Sequence, residues 1–310
     1  MSFEQTVSIK THHSKLITSD YLAGLPTPYT ALMEMALAAF FGLIIGSFLN
    51  VVIVRLPLGM SIAIPRSNCP QCKRLIPWYD NIPMLSHIIL RGRCRRCSKN
   101  ISLRYTLIEG LTGFVSLLLY LKFGFGAEWA IFFTFSAALI ALAFIDLDHR
   151  ILPDPITLNG IWIGILASIY LNEPNPLVSR VLHLTGIEFT NTRAIAFIGS
   201  VLGAAVGGGL LWGVAEVYLR LRGIEGMGFG DVKMMAMVGA LLGAPLALLT
   251  IMIGSVIGSV LGLVFIRAAG KTREYELPFG TFLAAAGILT VLYGEDLIRW
   301  YVTTIVGPSL

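Results

Sequence analysis

Gly226-Met227-Gly228-Phe229-Gly230-Asp231-Val232-Lys233 places one carboxylate between three glycines and an apolar run that continues to Leu242. An acid at the mouth of a membrane helix is costly to insert, so it marks a functional position by default. Gly226, Gly228 and Gly230 permit positive φ and close backbone approach. An extended peptide held by main-chain hydrogen bonds needs that room, and a plain interhelical turn uses glycine in the same way. Asp231 calls for a second acid facing it, and the rest of the chain is read with that in mind.

The 310 residues are 55% apolar and 13% charged, with a mean hydropathy of +0.77. These values describe an all-α polytopic membrane protein. Several apolar runs reach about 20 residues, the length that crosses a bilayer. The net charge of +5 is concentrated in one segment. It reports topology, with lipid as the expected surroundings and no nucleic-acid partner.

Residues 1–30 carry His, Lys, Asp, Glu and Pro without an apolar core and read as a mobile tail. The first span is expected at 31–56, ending in Gly46-Ser47-Phe48-Leu49-Asn50, where Asn50 needs a partner or a substrate. The segment 57–104 then holds nine Lys and Arg residues opposed only by Asp80, so it is expected on the cytoplasmic side. Further spans are expected at Tyr105–Lys122, Trp129–Ile145, Ile156–Leu171, Ala194–Leu219, Val232–Leu242, Leu246–Ile266 and Phe279–Thr303. That makes about eight transmembrane helices, with 105–310 as one membrane domain. The turns 146–155, 220–231 and 267–277 then fall on the cytoplasmic side, and 172–193 is external. No internal repeat stands out.

Cys69-Pro70-Gln71-Cys72 and Cys94-Arg95-Arg96-Cys97 form two C-x-x-C pairs separated by 21 residues. Such pairs close a tetrahedral thiolate site around Zn2+. A four-cysteine site is structural, because it leaves no open position for a reacting water. Two disulfides and four free thiols are the alternatives, and a cytoplasmic loop disfavours the disulfides.

Asp146 is the expected partner of Asp231. It is the first acid after an apolar run that ends at Ile145, at the cytoplasmic mouth of its own helix. Two carboxylates in a partly dry site share a proton, which provides one general base and one general acid. Asp148 beside His149 and Arg150 reads as a solvated turn residue, and Asp154 before Pro155 reads as a helix cap. Glu34, Glu109 and Glu216 are expected to pair with arginines, with Glu109 notable for lying inside a span. Lys233 either snorkels to the lipid surface or offsets charge at the site.

Taken together these residues resemble the type IV prepilin peptidases, the bifunctional leader peptidase and N-methyltransferase family of type IV pilus and type II secretion systems. The resemblance runs from about Ala36 to Leu292. It includes Gly46–Pro57, both cysteine pairs, Pro77–Pro83, Arg104-Tyr105, Glu109, Asp146–Asp154, Gly226–Lys233 and Pro278-Phe279-Gly280. It implies an aspartic protease of the GxGD kind with Asp146 and Asp231 as catalytic aspartates. The family's first aspartate stands seven residues before the proline of the Leu-Pro-Asp element, which selects Asp146 over Asp148. The implied substrates are prepilins and pseudopilins with a basic leader, cleaved after a glycine at the cytoplasmic edge of the inner membrane. The implied second step methylates the new N-terminus with S-adenosylmethionine. Thr106 and Thr281 stand where proline is common, and Met234 where leucine is usual. No G-x-G-x-x-G turn marks a nucleotide-binding fold.

Two other classes remain open on the residues alone. An ion-coupled transporter would also use two membrane acids, but at mid-span. A non-catalytic assembly platform would use the cysteine loop and dispense with both aspartates.

Overall fold

A computed structural model describes residues 28–69, 71–171, 191–224, 226–269 and 278–306. Most of the expected tail, 1–27, most of the external segment, 172–190, and the turn residues 270–277 lie outside the described residues. Seven long helices follow in order: α1 Pro28–Arg55, α2 Leu103–Phe123, α3 Ala127–His149, α4 Asp154–Leu171, α5 Thr192–Arg222, α6 Phe229–Ala269 and α7 Phe279–Tyr301. All seven are long and apolar enough to cross a membrane. No strand occurs among the described residues; two isolated bridges lie in the cysteine loop. The first helix begins at Pro28, three residues ahead of the expected start at residue 31.

The helix ends follow local chemistry. The Ser102 side chain accepts the Arg104 N–H at the start of α2. Asn191 accepts from Arg193 and Ala194 at the start of α5. Gly223, at φ 69°, closes α5 with its N–H on the Leu219 carbonyl. Arg150, at φ 54°, closes α3 and donates its N–H to the carbonyl of Asp146 at 2.8 Å.

The two spans expected at Val232–Leu242 and Leu246–Ile266 are the arms of one helix, α6, whose only non-helical residue is Gly243 (φ 78°, ψ 171°). That backbone conformation is closed to most side chains, and Pro245 two residues later suits the first turn of the second arm. The chain reverses there. Gly258 packs against Phe282 and Gly254 against Leu283, while Asp231 reaches Gly280 at the start of the same helix. In a straight helix Asp231 and Gly258 would be roughly 40 Å apart. The two arms therefore run in opposite directions, and the chain keeps the eight apolar segments read from the sequence.

Glycines set the closest helix approach. A Cβ on Gly203 of α5 would land inside the Gly239 carbonyl, and one on Gly207 inside that of Met235. Ser200 adds a hydroxyl bond to the Ala240 carbonyl across this seam. In lipid, where apolar burial gives no drive between helices, such backbone-close contacts hold them together. Gly203→Leu is expected to cost about 3 kcal/mol or more, because backbone on both sides would have to move. Unfolding in mixed detergent micelles measures this, and stability equal to the parent protein would contradict the seam.

Helices α1 and α2 pack by the same means. Gly42 lies against Ser116 and Gly46 against Glu109, and the Ser116 hydroxyl donates to the Ala38 carbonyl at 2.7 Å. The Asn50 amide donates to the Tyr105 carbonyl at 3.1 Å, so its partner within the protein is α2. Helix α3 forms the centre of the bundle, with Leu139, Ile140, Leu142 and Ile145 fully buried.

Candidate active site and thiolate cluster

The last turn of α3 and the first turn of α6 bring Asp146 and Asp231 to one place. Both are buried, at 6% and 8% exposure, in a bundle end where an isolated charge is costly. The third wall is the start of α7. A Cβ built on Gly280 would sit 2.8 Å from Asp231 Oδ1 and 3.0 Å from Asp146 Oδ2, so the two carboxylates flank a single hydrogen-only position. The next residue, Thr281, donates its backbone N–H to Asp146 Oδ2 at 2.7 Å. Its hydroxyl lies 3.0 Å from the same oxygen and 3.1 Å from the Ala143 carbonyl. Two acids expected from separate helix mouths thus share one site, together with Gly280 and Thr281, for which the sequence suggested no role. A small residue followed by a hydroxyl at the start of a helix, right after Pro278-Phe279, was the available signal.

The neighbouring acids are better engaged than expected. Asp148 is solvent-exposed as expected, but it lies in the last turn of α3 and pairs with Arg104 at 2.5 Å. Arg104 also donates to the Phe144 carbonyl at 3.2 Å, which ties the start of α2 to the last turn of α3. Asp154 lies in the first turn of α4, and its Oδ1 takes the Lys233 ammonium at 2.6 Å. That pair joins α4 to α6 two residues past Asp231, so Lys233 does not simply snorkel outward. Of the three glutamates expected to pair with arginine, Glu216 does so among the described residues, with Arg220 at 2.7 Å. Glu34 accepts from the Tyr120 hydroxyl, and Glu109 from the Met84 N–H at 2.8 Å.

Gly228 and Gly230 lie outside the left-handed region. Space explains two of the three glycines. A side chain on Gly226 would enter the Tyr218 ring, one on Gly230 would meet Leu152 at 2.9 Å, and Gly228 faces open space. A hollow of about 170 Å³ opens beside this stretch, lined by Trp212, Glu216, Leu219, Gly226, Met227 and Phe229 among others.

Cys69, Cys72, Cys94 and Cys97 converge, with all four Sγ atoms within 4.8 Å of one another and Cys69 to Cys97 at 3.9 Å. None is disulfide-bonded. The two turns that present them have the same backbone. Cys69 N–H meets the Arg74 carbonyl as Cys94 N–H meets that of Lys99, and Lys73 (φ 57°) matches Ser98 (φ 56°). The outer bonds match as well: Ile76 to Ser67 and Ile101 to Gly92. The loop therefore contains a local repeat that the side chains did not reveal. The N–H groups of Cys97 and Arg96 bring the Cys94 thiol down to about 7. At Cys97 the Lys99 N–H acts downward, but burial and the thiols of Cys94, Cys69 and Cys72 outweigh it and push that thiol up to about 11.

Beside this cluster lies a cavity of about 230 Å³ between the loop and the ends of α1 and α2 that adjoin it. Ser47, Asn50, Val54, Tyr105 and Glu109 are among its lining residues. It is not lined by Asp146 or Asp231.

Two family models match the chain. Residues 40–123 match the bacterial peptidase A24 N-terminal domain, and residues 132–263 match the type IV leader peptidase family. A prepilin leader peptidase/N-methyltransferase of Legionella pneumophila is 32% identical over 285 residues, 84% of this chain and 92% of the relative. One from Aeromonas hydrophila is 34% identical over 306 residues, covering 90% and 96%. One from Burkholderia pseudomallei is 35% identical over 297 residues, covering 88% of each. No solved structure matches. The paired aspartates on two helix ends, the thiolate loop and these relatives along most of the chain place it in one group: the chain belongs to the type IV leader peptidase family.

Proposed function

We propose that this protein removes the leader peptide of type IV prepilins and type II secretion pseudopilins and then methylates the new N-terminal amine. The observation that carries the first step is the shared position of Asp146 and Asp231 on either side of Gly280. One carboxylate takes a proton from water as it attacks the scissile carbonyl, and the other gives a proton to the leaving amine. Both acids lie at helix ends, one in the last turn of α3 and one in the first turn of α6. A transport site at mid-span would place them deeper. The excess of Lys and Arg in 57–104 supports a cytoplasmic position for this end of the bundle in the inner membrane. The stretch Gly226–Gly230 and its apolar hollow form the lane for the substrate backbone.

The thiolate cluster fits structural Zn2+. Tetrahedral zinc with bonds of about 2.3 Å holds its sulfurs about 3.8 Å apart, close to the spacing of Cys69 and Cys97. Zinc here would staple the two halves of the repeat. One zinc per chain is expected by elemental analysis, and Cys94→Ser should lose it and expose 57–104 to protease. Metal affinity should fall as the pH falls, because each of the four thiols must give up its proton to bind the ion. Full metal content in the variant would contradict the site.

For the second step, S-adenosylmethionine supplies an electrophilic methyl group on a cationic sulfur. The cavity beside the loop fits such a donor. Glu109 offers a carboxylate to the cationic part, held in place by the Met84 N–H, while Ser47 and Asn50 add polar groups and Tyr105 an aromatic face. Incubation of the purified protein with a prepilin, with and without S-adenosylmethionine, tests both steps. Mass spectrometry should show leader loss in both cases and one added methyl only with the donor. Intact prepilin after incubation would overturn the protease, and cleavage without methylation would remove the transferase.

A further inference from the structure

We propose that Thr281 is a positioning residue that makes Asp146 the general base, which rests on the dyad reading above and deepens it. Both polar groups of Thr281 converge on one carboxylate oxygen, the N–H at 2.7 Å and the hydroxyl at 3.0 Å. An N–H only donates, so Asp146 Oδ2 must accept, and donors favour the ionised carboxylate. No side-chain or backbone donor of this kind is seen on Asp231 among the described residues, whose oxygen turns instead toward Gly280. The grip on Oδ2 leaves Asp146 Oδ1 for the water.

The hydroxyl has a second partner, the Ala143 carbonyl, at 3.1 Å. It carries one proton and can donate to only one of the two at a time. While Asp146 is ionised, that proton points to Oδ2. When water attacks, its proton passes to Oδ1, its oxygen bonds to the scissile carbon, and Oδ2 becomes the weaker acceptor. The Thr281 hydroxyl then turns to Ala143. Asp231 passes its proton to the amine nitrogen as the C–N bond breaks. The hydroxyl keeps a partner in both states of Asp146, so this part-buried group is never left unpaired during turnover. Ala143 and Asp146 both belong to α3, so neither partner moves relative to the other.

The test uses the full-length protein in lipid vesicles with a prepilin substrate, measuring kcat and KM separately for Thr281→Val, Thr281→Ser, Asp146→Asn and the parent protein. Valine keeps the shape and the N–H but removes the hydroxyl. Serine keeps both donors. Thr281→Val is expected to lower kcat about ten- to a hundredfold with KM unchanged, the range for losing a hydrogen bond to a charged group. Thr281→Ser should recover kcat to within about threefold of the parent, below the loss of a single hydrogen bond. A parent-like kcat for Thr281→Val overturns the proposal, and so does a Thr281→Ser variant as slow as Thr281→Val. If Asp146→Asn cleaves at the normal rate, the dyad itself fails. An inactive Asp146→Asn beside a parent-like Thr281→Val leaves the dyad standing and removes only the role of Thr281.

Discussion

Asp231→Asn reduces leader cleavage by at least about a thousandfold while the protein still inserts and folds. Asparagine keeps the shape of the side chain and its place in the first turn of α6. It removes the one proton that the leaving amine requires, and the carboxylate atoms nearest a Cβ on Gly280 among the described residues belong to Asp231 and Asp146 alone. Asp154, the next acid on the same end of the bundle, is engaged by Lys233 at 2.6 Å and cannot take over. Asp148 is held by Arg104. Methyl transfer offers an internal control. A prepilin-derived peptide supplied already cleaved should still be methylated by this variant, because the cavity beside the cysteine loop is not lined by Asp231. Cleavage within tenfold of the parent rate would contradict Asp231 as the proton donor, and loss of both activities together would contradict the separation of the two sites.

Gly280→Ala has the second largest expected effect, about a hundredfold loss in kcat. The added Cβ would meet Asp231 Oδ1 at 2.8 Å and Asp146 Oδ2 at 3.0 Å. At least one carboxylate must turn away, and a misplacement of about 1 Å in reacting groups costs about a hundredfold. The methyl group is small, so the fold should survive. Gly209→Ala is the matched control, since a Cβ there meets nothing within 4 Å. Equal rates for the two variants, measured on the same prepilin, would show that Gly280 does not separate the carboxylates.

Much of this molecule was legible before its coordinates. The long apolar runs marked the membrane helices, because bilayer thickness sets the length an apolar helix needs. The paired C-x-x-C spacing announced four converging thiols. Asp146 and Asp231 could be singled out because an acid at a helix mouth in lipid stands out against its surroundings. What escaped depends on backbone geometry or on distant pairing. The repeat in the cysteine loop is carried by main-chain bonds that Lys73 and Ser98 satisfy alike. Thr281 acts on an aspartate 135 residues away, half of it through an N–H that any residue but proline would supply. Asp148 is exposed as read, but its tie to Arg104, 44 residues upstream on another helix, was hidden. In each case the local sequence was neutral and the tertiary contact decided.

The central claim is that Asp146 and Asp231 act as one unit on a shared water. Single-turnover cleavage of a prepilin by the parent protein, Asp146→Asn, Asp231→Asn and the double variant tests it most directly. A unit that shares one proton is disabled by losing either member, so the three variants should have the same residual rate. A double variant slower than the singles by the product of their separate losses would mean that the two carboxylates act independently, and the dyad would be wrong.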